Sequence, residues 1–258
     1  MYIAEEQVGE CFFHKKDLPS DRQEMYRIFL EAIDAYNLSQ IDGLGSGTSH
    51  TSKVVVISPS ELEDVDVDYT FYQIGIGKEI VDDNGTCGNL MAAVGAFAVN
   101  ERLIESSGEG VAVRAFNTNI GKMIEIEVPV EAHAAKVNGS FKMPGVVRPG
   151  AKYTVSILNP GGGKTGKTLP LGSVYHEKDW VYSFVDLVNP FVYLETSAFN
   201  LDGTETKDEI SSNEELLASL EAVRAEAAVA SEMEETVADA SKHQQFRKLH
   251  SSQHHKRM

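Results

Sequence analysis

The chain has 258 residues, enough for one large or two small domains with a buried core. Its apolar fraction of 42% and charged fraction of 24% are those of an ordinary globular protein. A formal net charge of -16 argues against nucleic-acid binding, which needs a basic footprint, and means that any anionic ligand must be attracted by local donors.

Two cysteines, Cys11 and Cys87, cannot build a disulfide framework, and no basic-then-apolar leader opens the chain. The longest apolar run, 90–99, is too short to span a bilayer, so no membrane partner and a reducing, cytoplasmic setting are expected. The spacing of Met25, Phe29, Leu30 and Ile33 predicts a helix over 21–35. Next comes "IDGLGSGTSHTSKVVVI", residues 41–57. Three glycines precede the hydroxyls of Thr48, Ser49, Thr51 and Ser52, and Lys53 opens a strand. Such a loop presents N–H and O–H donors to an anion. Lys53 is a cation for a carboxylate or, desolvated, a base. The plainer alternative is a solvated turn with an exposed lysine. His50 has no ligand partners at metal spacing, so no metal site is expected.

Short β-like runs occupy 54–57, 67–76, 110–116, 123–130, 151–158 and 180–194, most bounded by Gly, Pro or Asn. Among them, 88–104 is apolar nearly all round through Ala92, Ala93, Val94, Phe97, Ala98 and Val99. That is the pattern of a helix buried on every side, and it predicts a strongly curved sheet wrapped around it. Cys87 falls just outside this helix in "DDNGTCGNLMAAVGAFAVNE". Open backbone N–H groups and the positive dipole end favour an anion there and suit a thiolate. Gly85 and Gly88 permit close approach, and Asn84 and Asn89 add amide donors. The alternative is a small buried residue at a glycine-rich turn.

"GGGKTGKT", 161–168, matches the phosphate-loop pattern G-x-x-x-x-G-K-[ST]. A nucleotide site needs a helix directly after the Lys-Thr pair, but Leu169-Pro170-Leu171-Gly172 and another strand-like segment follow. It reads as a turn between strands. Farther on, Ser212-x-x-Glu215 makes a capping box before the apolar stripe Leu216, Leu217, Leu220 and Val223. From residue 242 onward there are five Lys/Arg, four His and no acid, and the stretch reads as a disordered basic tail.

Five segments in order carry a resemblance: "QIDGLGSGTSHTSKVVVISPS", "DNGTCGNLMAAVGAFAVNERL", "NTNIGKMIEIEVPV", "GGGKTGKTLPLG" and "VDLVNPFVYL". The chain resembles the PrpF family from Cys11 to about Ala230. The resemblance implies an α+β, diaminopimelate epimerase-like fold, a curved, mostly antiparallel sheet around a central hydrophobic helix, with the second domain incomplete. The expected organisation is a domain over 1–200 with its central helix at 88–104, a helical segment over 201–233, and the tail over 234–258. The resemblance further implies cofactor-independent isomerisation of an unsaturated tricarboxylate. Lys53 and Cys87 take the family's catalytic positions. Gly47, Thr48, Ser49, His50, Thr51, Ser52, Asn84, Gly88 and Asn89 are the expected substrate-binding residues. A polycarboxylate is the expected ligand, no cofactor is implied, and a homodimer is allowed.

Three departures stand out. The family's Met-Arg-Gly-Gly-Thr-Ser-Lys opening is replaced at 3–9 by "IAEEQVG". Val188 stands where the family commonly has Gly in "VDAGNP". The family's second domain is not continued here. Three functions therefore compete: an isomerase, a non-catalytic relative that binds polycarboxylate or a partner chain, and a nucleotide-binding module through 161–168.

Overall fold

The computed structural model describes residues 3–4, 8–144, 146–177, 180–241 and 249–252, the backbone alone at 3–4, 8–10 and 249–252. The chain divides into two compact units, 1–159 and 160–258.

In the first unit the sheet order is β1 (Ile3–Ala4), β2 (Val8–His14), β3 (Lys53–Pro59), β4 (Val67–Ile74), β6 (Gly110–Asn117), β7 (Lys122–Glu131) and β8 (Ala134–Ala135). Strand β5 (Val81–Asp82) pairs with β4, and β9 (Thr154–Ile157) with β7. The pairs β2–β3 and β4–β6 run parallel and the others antiparallel. The sheet is mostly antiparallel, as expected, with two parallel pairs.

Each face of the sheet has its own helix. On one side α1 (Arg22–Ile33) sets Phe29, Leu30 and Ile33 against Cys11, Val54, Val56, Tyr72 and Ile74. On the other, α2 (Met91–Asn100) sets Met91, Val94, Phe97 and Ala98 against Val55, Ile57, Tyr69, Phe71, Ile124, Ile126 and Val128. The unbroken apolar run "VVVI" follows from this arrangement, because alternate residues of β3 meet different helices. Helix α2 lies close to β7. A Cβ at Gly95 would come within 2.7 Å of methyl carbons of both Ile126 and Val128. The helix is shorter than expected: a 3-10 turn, Gly88–Leu90, precedes it, and it ends at Asn100.

The second unit holds β10 (Tyr175–Glu177), β11 (Trp180–Leu187), β12 (Asn189–Glu195) and β13 (Leu249–Ser252) in that order. Tyr182, Phe184, Val192 and Leu194 pack against Val223 and Ala227 of α4 (Glu214–Ala230). Strands 175–195 thus belong with this helix and not with α2, so the change of unit falls at 159/160 where a break near 200 was expected. The run 180–194 is likewise two strands, turned at Val188, whose φ of 65° lies in the left-handed region.

The capping expectation at Ser212 also changes. Thr206 and Glu209 form the capping box, opening α3 (Lys207–Ser212), and the Asn213 side chain caps α4 by accepting from the Leu216 N–H at 3.0 Å. Asn213 has a carbonyl oxygen aimed at the N3 N–H, the geometry an N-cap needs. Within the expected tail, Val237–Ala240 forms α5, tied to α4 by buried Arg224, which donates to the Ala240 carbonyl at 2.7 Å. Strand β13 pairs parallel with β12, and 242–248 and 253–258 lie outside the described residues.

Candidate functional site

The two-residue period of β3 decides where Lys53 goes. Lys53, Val55 and Ile57 share the face toward α2, so the lysine at the strand's first position reaches the mouth of that helix. There its Nζ donates to Cys87 Sγ at 3.3 Å. Lys53 is 6% exposed, and no carboxylate among the described residues lies within ion-pair distance of it. Cys87 is half-buried and occupies the N-cap position of the 3-10 turn that leads into α2. Gly88 and Asn89 are exposed beside it, and their first-turn N–H groups have no intrahelical acceptor. The two residues expected to act together are brought together.

The other cysteine lies on the opposite face of the sheet. Cys11 pairs in register with Val54 and packs with Phe29 and Ile33, and burial pushes its thiol up.

The segment entering the helix is held from beneath. The Asn117 amide donates to the Thr86 hydroxyl and to the Tyr69 phenol oxygen, both at 2.7 Å, and Asn119 donates to the Asp83 carbonyl at 2.8 Å. Burial pushes the Tyr69 phenol up, with its hydrogen bonds to Asn117 and Thr86 opposing. Asp83, the acid next to the site, is paired with Arg22 at 3.0 Å.

The expected donors sort into two groups. Asn84 is turned inward: its side-chain amide and its N–H both donate to Asp82, at 3.0 and 2.9 Å. Ser52 is fully buried, donates to the Thr48 carbonyl at 2.7 Å and receives the Gln40 amide at 2.8 Å. Thr51 is occupied by Ser46 and by the Thr48 carbonyl, and the Gly47 N–H donates to Gln40 Oε1 at 2.8 Å. These residues shape the loop. Gly45 gives way to the same glutamine, since a Cβ there would overlap its side-chain amide. Thr48, Ser49, His50, Gly88 and Asn89 are left at the surface of the loop and helix mouth.

Four organising residues were not singled out from the sequence: Gln40, Gln73, Asn117 and Asn119. Gln73 faces Lys53 across β3 and β4, and its amide donates to the carbonyls of Ser49 and Ser52 at 3.1 and 2.8 Å. A polar residue at an inward position of the alternating strand "VDYTFYQI" was the available signal.

The glycine-rich segment 161–168, in the second unit, already encloses an anion of its own. Asp186 is buried, and its Oδ2 accepts from the N–H groups of Lys164 and Thr165 at 2.8 and 2.7 Å and from the Thr165 hydroxyl at 3.0 Å. Turn and strand follow it, with no helix. The phosphate-loop donors are directed at a carboxylate of the same chain. Among the described residues no group of three or more His, Cys, Asp or Glu could hold a metal ion, and no helix is long and apolar enough to cross a membrane.

A sheet curled about a buried helix, with a thiol at that helix's mouth and a buried lysine against it, is an α+β epimerase-like architecture. The family model described as "PrpF protein" matches residues 8–255, and the chain belongs to that family. It is 39% identical over 235 residues to the 3-methylitaconate isomerase of Eubacterium barkeri, covering 89% of this chain and 62% of that one. With the 2-methyl-aconitate isomerase of Shewanella oneidensis the identity is 37% over 238 residues, covering 84% and 60%. A solved methylitaconate-delta-isomerase superposes with a TM-score of 0.70 at 37% identity, over 92% of this chain and 62% of that chain. The chain therefore spans about three fifths of the length of these relatives.

Proposed function

We propose that the chain carries the lysine–cysteine part of an isomerase site that moves a double bond, or changes cis/trans geometry, in an unsaturated tricarboxylic acid of the aconitate or methylaconitate type. The observation that carries this reading is the 3.3 Å contact between Lys53 Nζ and Cys87 Sγ at the mouth of α2. The relatives' names, 3-methylitaconate, 2-methyl-aconitate and (4E)-oxalomesaconate isomerases, support an unsaturated carboxylic acid as the substrate.

The chemistry needs one C–H proton removed beside a carboxylate and one returned at another carbon. Lys53 takes the proton, the electron pair delocalises through the double bond onto a carboxylate, and Cys87 returns a proton at the far carbon. The step is redox-neutral. Negative charge grows on a substrate that is already anionic, so donors fixed beforehand are the largest source of rate. The first-turn N–H groups of Gly88 and Asn89 and the exposed side chains of Thr48, Ser49 and His50 supply them in this reading. A cytoplasmic enzyme fits two free thiols, and a homodimer is compatible with it.

A second reading is polycarboxylate binding without turnover, through the surface residues Thr48, Ser49, His50, Gly88 and Asn89. Proton NMR of the chain with cis- or trans-aconitate in heavy water separates the two. The isomerase reading expects deuterium at carbon, lost in Lys53→Ala and in Cys87→Ala. Unlabelled acid with saturable binding would establish the second reading in its place.

A further inference from the structure

Residues 132–158 break the charge balance of the chain. They include Lys136, Lys142, Arg148 and Lys152 and no acid, in a chain with 39 Asp and Glu against 23 Lys and Arg. This stretch leaves the sheet after β8 and returns as β9. Phe141 and Gly150 exchange backbone hydrogen bonds at 3.1 and 3.0 Å, and the Ala151 N–H donates to the Val137 carbonyl at 2.8 Å. Lys152 Nζ lies 5.9 Å from the centre of the Phe141 ring.

Beneath this excursion runs a half-exposed stripe of α2, Ala92, Ala96 and Asn100, one turn apart. Their small size leaves a cavity of about 340 Å³ between helix and excursion. That is within the range of small-molecule sites, about 300–1,000 Å³. Phe141, Met143, Val146, Tyr153 and Val155 supply apolar wall, and Arg148 is the one charged residue in the lining. Arg148 makes no ion pair among the described residues. Hydrocarbon walls, a guanidinium and no acid in an acidic chain describe the complement of one kind of ligand.

We propose that this cavity binds a small carboxylate with an apolar body, the hydrocarbon lying along Ala92 and Ala96 under Phe141 and the carboxylate on the planar donor fork of Arg148. Gly88 and Asn89 of the helix mouth line one end of the cavity, whereas Lys53 and Cys87 do not line it, so the variants at positions 96, 141 and 148 test it apart from that pair.

Titration calorimetry of the 258-residue chain with octanoate, and with 1-octanol as its neutral counterpart, tests this. Octanoate is expected to bind saturably at one site. Ala96→Leu, which fills the cavity, abolishes that binding, and Phe141→Ala, in the outer wall, weakens it several-fold. Arg148→Gln weakens octanoate about 10-fold and leaves octanol unchanged. Phe141 and Arg148 are exposed, so those variants keep the test valid even where Ala96→Leu fails to fold. The proposal is overturned if octanoate does not bind or binds both exposed-site variants as it binds the parent. Variants that shift from dimer to monomer in light scattering while retaining octanoate would also overturn it, by making this surface an interface between copies.

Discussion

Gln73 faces Lys53 across two strands and holds, through one amide, the carbonyls of Ser49 and Ser52. A side chain opposite the proposed base thus also anchors the loop that carries the proposed carboxylate donors. Gln73→Leu keeps the volume and removes both bonds. Amide hydrogens of residues 46–52 should then exchange faster, and deuterium uptake into aconitate should fall about 10- to 100-fold, the scale set by small errors in positioning. Unchanged exchange in the loop would show that Gln73 does not anchor it.

Asp186 gives a test in the second unit. Asp186→Ala leaves two backbone N–H groups, those of Lys164 and Thr165, without their acceptor in a half-buried turn. We expect a loss of about 3 kcal/mol in urea unfolding, since each hydrogen bond to a charged group contributes about 1.5–3 kcal/mol. Because the donors of 161–168 are engaged, Mg-ATP should leave the parent chain's melting temperature unchanged. A nucleotide-dependent rise, lost in Lys167→Ala, would restore the phosphate-loop reading.

Val188 is strained. A β-branched residue in the left-handed region costs about 1–2 kcal/mol, and glycine adopts that region freely at an unfolded-state cost of roughly 0.5–1 kcal/mol. The strain is the larger of the two. Val188→Gly should stabilise the chain by about 0.5–1 kcal/mol and raise the melting temperature by about 1–4 °C. A lower melting temperature would mean that the half-buried side chain contributes more by packing than the turn loses.

Alkaline stability carries the mark of Tyr72. Burial pushes its phenol up to about 12, from an ordinary value of 10.0. The folded state holds this proton more tightly than the unfolded state. The contribution is therefore full below the unfolded value and is lost as pH rises through about 12. The slope is about 1.4 kcal/mol per pH unit between the two values. Urea midpoints taken at about pH 9 and pH 11 should converge when Tyr72→Phe replaces the parent, Tyr69 and Tyr182 supplying the remaining slope.

How much of this was legible in the sequence depended on the range of the interaction. The helix apolar all round, the glycine- and hydroxyl-rich loop before Lys53, and the thiol at a helix mouth are local patterns, and each is found in place. The alternation of β3 even fixes which helix Lys53 faces. Asn117, Asn119, Gln40 and Gln73 could not be assigned in the same way, because their partners lie up to 48 residues away and their chemistry is shared by any surface amide. For the same reason the internal hydrogen bonds of Ser52 and Asn84 could not be read from their positions. Val188 hid a chain reversal inside a run of good strand formers, where turn residues are ordinarily the cue.

The placement of the two thiols on opposite sides of β3 makes the chain its own conformational reporter. An alkylating reagent added to the native form would find one sulfur and be refused by the other, whose neighbours are Phe29 and Ile33. The second equivalent would be consumed only as the layer under α1 came apart. A fluorophore carried on the first would meanwhile watch the lysine side of the same sheet.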